Sequence, residues 1–332
     1  LEGFSHALEG SNYTWFDFPK EFAEKTVKEV MSLCAAEYGD TILYATARNA
    51  YAVERMERIL LRTVDTLQYQ LRKGSFKPES YEMSFSAVSD LDSVNISLSE
   101  EEKMKLLGRI DRVDTVESEG KIFVKIVDYK SGDKKFDIAA LYYGLQLQLV
   151  LYMNAAVEQE KKRHPGKEVV PAAMLYYHVA DDCLETETEL TEEEINRKIR
   201  ENLRANGVIN RDEAVIDRLI DEKNGKSDVI PVEFKKDGTL SSRSDVMDEV
   251  EMEEISRFVT GKVKKLGREI LEGKVSCNPY KKDKESACTY CPYKGVCGFD
   301  TGMDGYSYRV LPDMDKDTAM EHIRKELDEE QE

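Results

Sequence analysis

Two aspartates and a lysine lie in one stretch of this chain, Gly108–Lys130, GRIDRVDTVESEGKIFVKIVDYK. The pattern predicts two strands, Leu106–Glu117 and Lys121–Lys130, joined at Glu119-Gly120, an acidic-glycine pair suited to a two-residue hairpin turn. That turn pairs Ser118 with Lys121. Paired numbers then sum to a constant, so Asp111 falls opposite Asp128 and Arg109 opposite Lys130. Facing β carbons lie about 4.5–5.5 Å apart, and two carboxylates at that spacing need a proton or a cation between them. Period-two geometry puts Lys130 on the face of Asp128 and turns the Tyr129 ring to the other, with the Tyr129 carbonyl left as a ligand.

The chemistry such a group suits is metal-assisted cleavage of phosphodiesters. Carboxylate oxygens match Mg²⁺, which keeps waters that can act as nucleophile. A lysine can activate that water or offset charge on the phosphate. An isolated D-x-K tripeptide is common and reads as a solvated charged hairpin. Here the opposed Asp111 and the apolar flank Ile122, Val124, Ile126 and Val127 describe a buried strand ending in charge.

Several elements must position this hairpin. One helix is expected from Pro19 through Leu33, with Cys34 on its apolar side as core, and a second from Gly39-Asp40 to Lys73-Gly74. Tyr81–Ser99 reads as strand. A single helix is expected from Ile138 to about Lys161, carrying Leu141, Leu145, Gln148 and Tyr152 on one face. Glutamine in that stripe must find a partner: a phosphate, a metal-bound water, or a neighbouring strand's backbone. Val169–Ala180 reads as a buried strand with a partner near Glu185–Glu189. Residues 190–245 read as a peripheral insertion opening on the capping box Thr191-x-x-Glu194. A long helix follows from about Asp245 to Gly273, with Ile255, Phe258, Val259, Val263, Leu266 and Ile270 inward. An acidic tail, 312–332, reads as a solvated helix.

The net charge of −18 over 332 residues opposes a DNA-coating surface, though not a narrow basic path. No signal peptide or membrane-length apolar run occurs, and the first residue is not Met, so a piece of a longer soluble, cytoplasmic protein is expected. Six cysteines do not make a disulfide scaffold at this length. Cys288-x2-Cys291-x5-Cys297 is a thiolate-ligand pattern in a reducing compartment. On spacing alone the fourth ligand is Cys277 or lies before Leu1, and zinc and iron–sulfur both remain open.

Together, GRIDRVD, IVDYKSG, YYGLQLQLVLY and NPYKKDKESACTYCPYKGVCGFD resemble the AddB-type C-terminal nuclease domains of the RecB-type PD-(D/E)xK family. The resemblance covers most of 1–311 and is weakest between Thr191 and Val250. It implies an α/β, restriction-endonuclease-like core, a mixed central sheet flanked by helices. It also implies metal ligands at His6, Asp111, Asp128 and the Tyr129 carbonyl, and catalytic roles for Asp111, Asp128, Lys130, Gln148 and Tyr152. The glycine spacing before His6 is one residue shorter than in the family. An AddA-type helicase–nuclease partner, single-stranded DNA and Mg²⁺ (or Mn²⁺) follow from the same resemblance. In the family, three cysteines like Cys288, Cys291 and Cys297 (within 277–300) join one upstream of the histidine to hold a [4Fe–4S] cluster. This places Cys277 outside the group and predicts a cluster that is incomplete or lost in this chain. Two rival readings are a non-catalytic scaffold that holds DNA or a partner, and a zinc-ribbon binding module.

Overall fold

Unbroken apolar character over Ile122–Val127 demands cover on both faces of that strand, and the computed structural model supplies it from two helical layers. It describes all residues except 40, 86–90, 133, 182–183, 185–188 and 330–332. Helices α1 (Glu2–Glu9), α2 (Lys20–Glu37) and α3 (Ala47–Arg72) precede strand β1 (Lys77–Phe85). A short ladder, β2 (Asn95–Ser97) and β3 (Lys103–Lys105), leads to the hairpin β4 (Gly108–Ser118) and β5 (Lys121–Lys130). Then come α4 (Ile138–Tyr142), α5 (Gln148–Arg163) and β6 (Glu168–His178). The charged stretch holds α6 (Glu192–Asn202), β7 (Asn206–Asn210), α7 (Glu213–Leu219), β8 (Gly225–Lys226), β9 (Glu233–Phe234) and β10 (Val246–Met247). Helix α8 (Glu249–Leu271) is followed by a small module of β11 (Tyr280–Lys282), β12 (Glu285–Ser286), α9 (Lys294–Cys297) and β13 (Arg309–Val310). Helix α10 (Lys316–Glu329) comes last.

The main sheet is mixed, six strands in the order β1-β4-β5-β6-β7-β10. Strands β5 and β6 run parallel, whereas β1, β4 and β5 pair antiparallel in sequence. One face carries Phe123, Val127, Leu175 and Tyr177 against Phe4, Val27 and Leu67 of the first three helices. The other carries Ile122, Val124, Ile126 and Tyr176 against Leu149, Met153, Val259 and Ile323 of α5, α8 and α10. This is the α/β architecture, a mixed sheet flanked by helices, that the resemblance implies.

The hairpin has the register derived from its turn: Ser118 pairs with Lys121, and the ladder runs to Arg112 opposite Val127. Glu119 and Gly120 have φ of 54° and 78°, the two positive values that a tight turn matched to strand twist requires. Beneath the Tyr129 side of this hairpin lies a buried charge triad. Asp114 Oδ1 is 2.8 Å from Arg112 Nε, and Asp114 Oδ2 is 2.8 Å from Lys125 Nζ. Arg112 also donates to the Tyr129 hydroxyl at 3.0 Å.

Several expectations are corrected. The single helix over Ile138–Lys161 is two, because the chain turns at Gly144 with φ of +83°; Leu141 and Gln148 therefore belong to different helices. The stretch 190–245 is not merely peripheral: β7 pairs with β6 inside the main sheet, and Ile216, Leu219, Ile230 and Phe234 join the core. The C-terminal tail is helical but not simply solvated, since α10 buries Ala319, Met320, Ile323 and Leu327. Cys34 is exposed rather than core. In α8, Leu266 and Ile270 point outward, and Met252 is buried in addition to the expected residues. The Thr191–Glu194 capping box forms as expected. Residues 86–90 of the strand-like stretch and 185–188 of the proposed partner strand lie outside the described residues; the observed neighbours of β6 are β5 and β7.

Candidate active site

The site sits where β4 and β5 run out of ladder. One step beyond the Arg112–Val127 pair, the Tyr129 amide donates to Asp111 Oδ2 at 2.7 Å. Asp111 thus bonds across the strands at the end of the hairpin, beside Asp128. Asp128 is buried, and its Oδ2 lies 2.5 Å from Lys130 Nζ. Lys130 donates onward to Gln148 Oε1 at 3.2 Å, and Gln148 Nε2 donates to the Tyr152 hydroxyl at 2.8 Å. Gln148 opens α5, and Tyr152 is one turn later on the same face. Of the partners open to Gln148, the one observed is the lysine ammonium.

Burial pushes the Asp111 carboxyl above the usual carboxylate range, and Asp128 adds to the effect; the Tyr129 amide, Lys130 and Arg109 act against it. The Tyr129 ring lies on the opposite face, 5.9 Å from the Tyr177 ring, and burial raises its phenol to about 12. His6 is not brought to this group. Its imidazole is exposed on α1, with Nε2 3.8 Å from Glu2 and Nδ1 3.4 Å from Glu9.

Two residues were missed by the sequence reading. Glu82 on β1 is close enough to Asp111 and to Glu2 to feel both charges, is raised by burial, and pairs with Arg109 at 2.5 Å. Tyr176 on β6 is the direct cross-strand neighbour of Asp128. It is fully buried, and its hydroxyl has no hydrogen-bond partner among the described residues. Alternation along β6 marks Tyr176 as inward-facing, but only the parallel β5–β6 register sets it beside Asp128.

Among the described residues, no three His, Cys, Asp or Glu side chains stand close enough to hold an ion as they are. The donor set of Asp111 and Asp128 nevertheless fits a hard divalent cation: Asp128 Oδ2 is buried without a conventional hydrogen bond, and a second carboxylate adjoins it. At the other end of the chain, Cys288, Cys291 and Cys297 line a cavity of about 320 Å³ with Phe299 and Tyr308. Cys277 is not outside this group, contrary to expectation. Its Sγ lies 3.4 Å from that of Cys297, and the thiol is raised chiefly by that contact, with Cys288 and Cys291 contributing. Folding the Cys277 segment back beside α9 brings the two together.

A carboxylate pair and a lysine at the end of a central hairpin, on this sheet, define a metal-dependent nuclease fold. The chain belongs to the PD-(D/E)XK nuclease superfamily, which it matches over residues 17–298; His6 lies outside that match. It is also similar to the B subunits of ATP-dependent helicase/deoxyribonucleases from several bacteria. Identity is 39% over 98% of the chain in Lachnoclostridium phytofermentans, 35% over 99% in Clostridium tetani and 34% over 99% in Clostridium acetobutylicum. The chain spans 28%, 29% and 28% of the lengths of these relatives. Among the described residues, no helix is long and apolar enough to cross a membrane.

Proposed function

We propose that this chain is the nuclease module of a helicase–nuclease complex, hydrolysing phosphodiester bonds of single-stranded DNA during double-strand-break processing. The observation that carries this reading is Lys130, held between Asp128 at 2.5 Å and Gln148 at 3.2 Å, with Asp111 alongside. Asp111 and Asp128 would hold Mg²⁺ or Mn²⁺, with the Tyr129 carbonyl as a further ligand. His6 is the outermost candidate, one turn from Glu2, whose charge reaches Glu82 beside Asp111. A divalent cation, when bound, supplies Lewis acidity and a source of nucleophilic water. Lys130 orients the attacking water and offsets charge gathering on the phosphate. Gln148 fixes the Lys130 ammonium, and Tyr152 fixes Gln148.

The names of the relatives support a helicase–nuclease partner of the AddA type. In a longer protein, Cys288, Cys291 and Cys297 would contribute to a [4Fe–4S] cluster that ties segments of the domain together. The four thiols gathered at this end of the chain are a donor set suited to such a group.

Cleavage of labelled single-stranded DNA tests the central reading. Activity is expected with Mg²⁺ or Mn²⁺, none with a chelator, and none for Asp128→Ala under any metal. DNA binding without cutting by the parent chain would instead favour the scaffold reading.

A further inference from the structure

Lys134 is a partly buried cation at the edge of this site that the hydrolytic chemistry described above does not use. Its ammonium lies 5.4 Å from the centroid of the Tyr176 ring, and that of Lys130 lies 5.7 Å from the same centroid. Two lysines therefore share one buried aromatic ring, and that ring belongs to the cross-strand neighbour of Asp128.

The other lysines nearby are paired. Lys130 faces Asp128 at 2.5 Å, and Lys282 faces Asp137 at 2.6 Å. Lys134 has no carboxylate within ion-pair distance among the described residues, although Asp128 and Glu285 are near enough to act on it from further away. Burial and the Lys130 charge both work against its protonated form. The aromatic face offsets part of that cost, but an unpaired ammonium held partly out of water remains unfavourable until an anion meets it. In a site built for phosphodiesters, the anion that fits is another phosphate of the same strand.

We propose that Lys134 grips a backbone phosphate next to the bond being cut, with the Tyr176 ring aligning the ammonium groups of Lys134 and Lys130 along one strand of nucleic acid. This inference rests on the nuclease reading. It explains how a chain with a net charge of −18 can admit a polyanion: through a few local cations and not a broad basic face. Tyr176 acts here as a positioning residue.

The test uses the 332-residue chain with a fluorescent oligothymidylate, and Ca²⁺ in place of Mg²⁺ so that binding can be read without cleavage. Affinity is measured across a salt series. Lys134→Gln should bind several-fold more weakly, and its slope of log affinity against log salt should be shallower by about 0.7, one phosphate contact on a single strand. Lys134→Arg should restore the slope, and Lys135→Gln, at an exposed neighbour, should match the parent. With Mg²⁺, Lys134→Gln should raise KM more than it lowers kcat. Parent-like affinity and slope for a folded Lys134→Gln, beside an inactive Asp128→Ala, would overturn the role of Lys134 alone. A parent chain that neither binds nor cuts the oligonucleotide would overturn the nuclease reading and this inference together.

Discussion

Gln148 accepts a hydrogen bond from Lys130 at 3.2 Å, so the first residue of α5 sets the position of a side chain at the end of β5. The amide has two ends and uses both, since its nitrogen donates to Tyr152 at 2.8 Å. A lysine has many rotamers, and ordering one costs free energy. Contacts with Asp128 and Gln148 meet that cost before substrate arrives.

Gln148→Ala should therefore lower kcat by about tenfold to a hundredfold, as expected for misplacing a reacting group. Metal affinity and KM should change little, because Gln148 touches neither carboxylate in the contacts observed. Steady-state cleavage at saturating Mg²⁺ checks this. An unchanged kcat would show that Lys130 needs no support from α5.

Metal binding should appear as stability. A cation present at a hundred times its Kd stabilises the folded chain by about 2.7 kcal/mol, raising Tm in thermal melts with Mg²⁺ or Mn²⁺. Asp111→Asn and Asp128→Asn should each lose most of that rise. Without metal, Asp111→Asn should melt at or above the parent, because burial disfavours the charged form while an amide oxygen can still accept from Tyr129. His6→Ala should keep much of the metal-induced rise, given its exposed position between Glu2 and Glu9.

The buried triad should govern acid stability. Burial works to raise the Asp114 carboxyl, but Arg112 and Lys125 outweigh it and hold it below its ordinary value. Its stabilisation is therefore present above the unfolded value, about pH 3.9, and is lost as pH falls through the lower folded value. Removing one member of such a group leaves uncompensated buried charge. Asp114→Ala should cost about 3–5 kcal/mol, and the gap between its Tm and the parent's should narrow only in strong acid. A gap that closes near neutrality would mean another group carries the effect.

At the cysteine module, Cys277→Ser should change thiophilic metal binding even though the family resemblance places that residue outside the ligand set. The reduced chain, titrated with Co²⁺ without air, should show sulfur-to-metal absorption that weakens in Cys277→Ser. Affinity should fall by at least about tenfold, as befits loss of one ligand. Cys34→Ser, at an exposed and remote position, serves as control. Identical spectra for parent and Cys277→Ser would mean that the 3.4 Å contact with Cys297 has no part in binding.

The chain by itself determined the catalytic hairpin, and it did so through local geometry. A two-residue turn at Glu119-Gly120 leaves one register, and that register alone carries Asp111 to the end shared with Asp128, places Lys130 on the same face, and even sets Asp114 opposite Lys125. The triad was thus within reach of the same arithmetic, although buried charges in a strand read more simply as a solvated face. Long-range closure was not readable in this way. The break at Gly144 is one backbone angle that apolar periodicity passes over, and β7 enters the sheet because its buried edge needs a partner, which charge composition hides. Tyr176 reaches Asp128 only through a parallel crossover, Glu82 reaches Asp111 across β1 and β4, and Cys277 reaches Cys297 across twenty residues of chain. Spacing in sequence fixes neighbours within a turn or a hairpin; contacts between separate segments depend on which surfaces bury each other, and packing of the whole fold decided those.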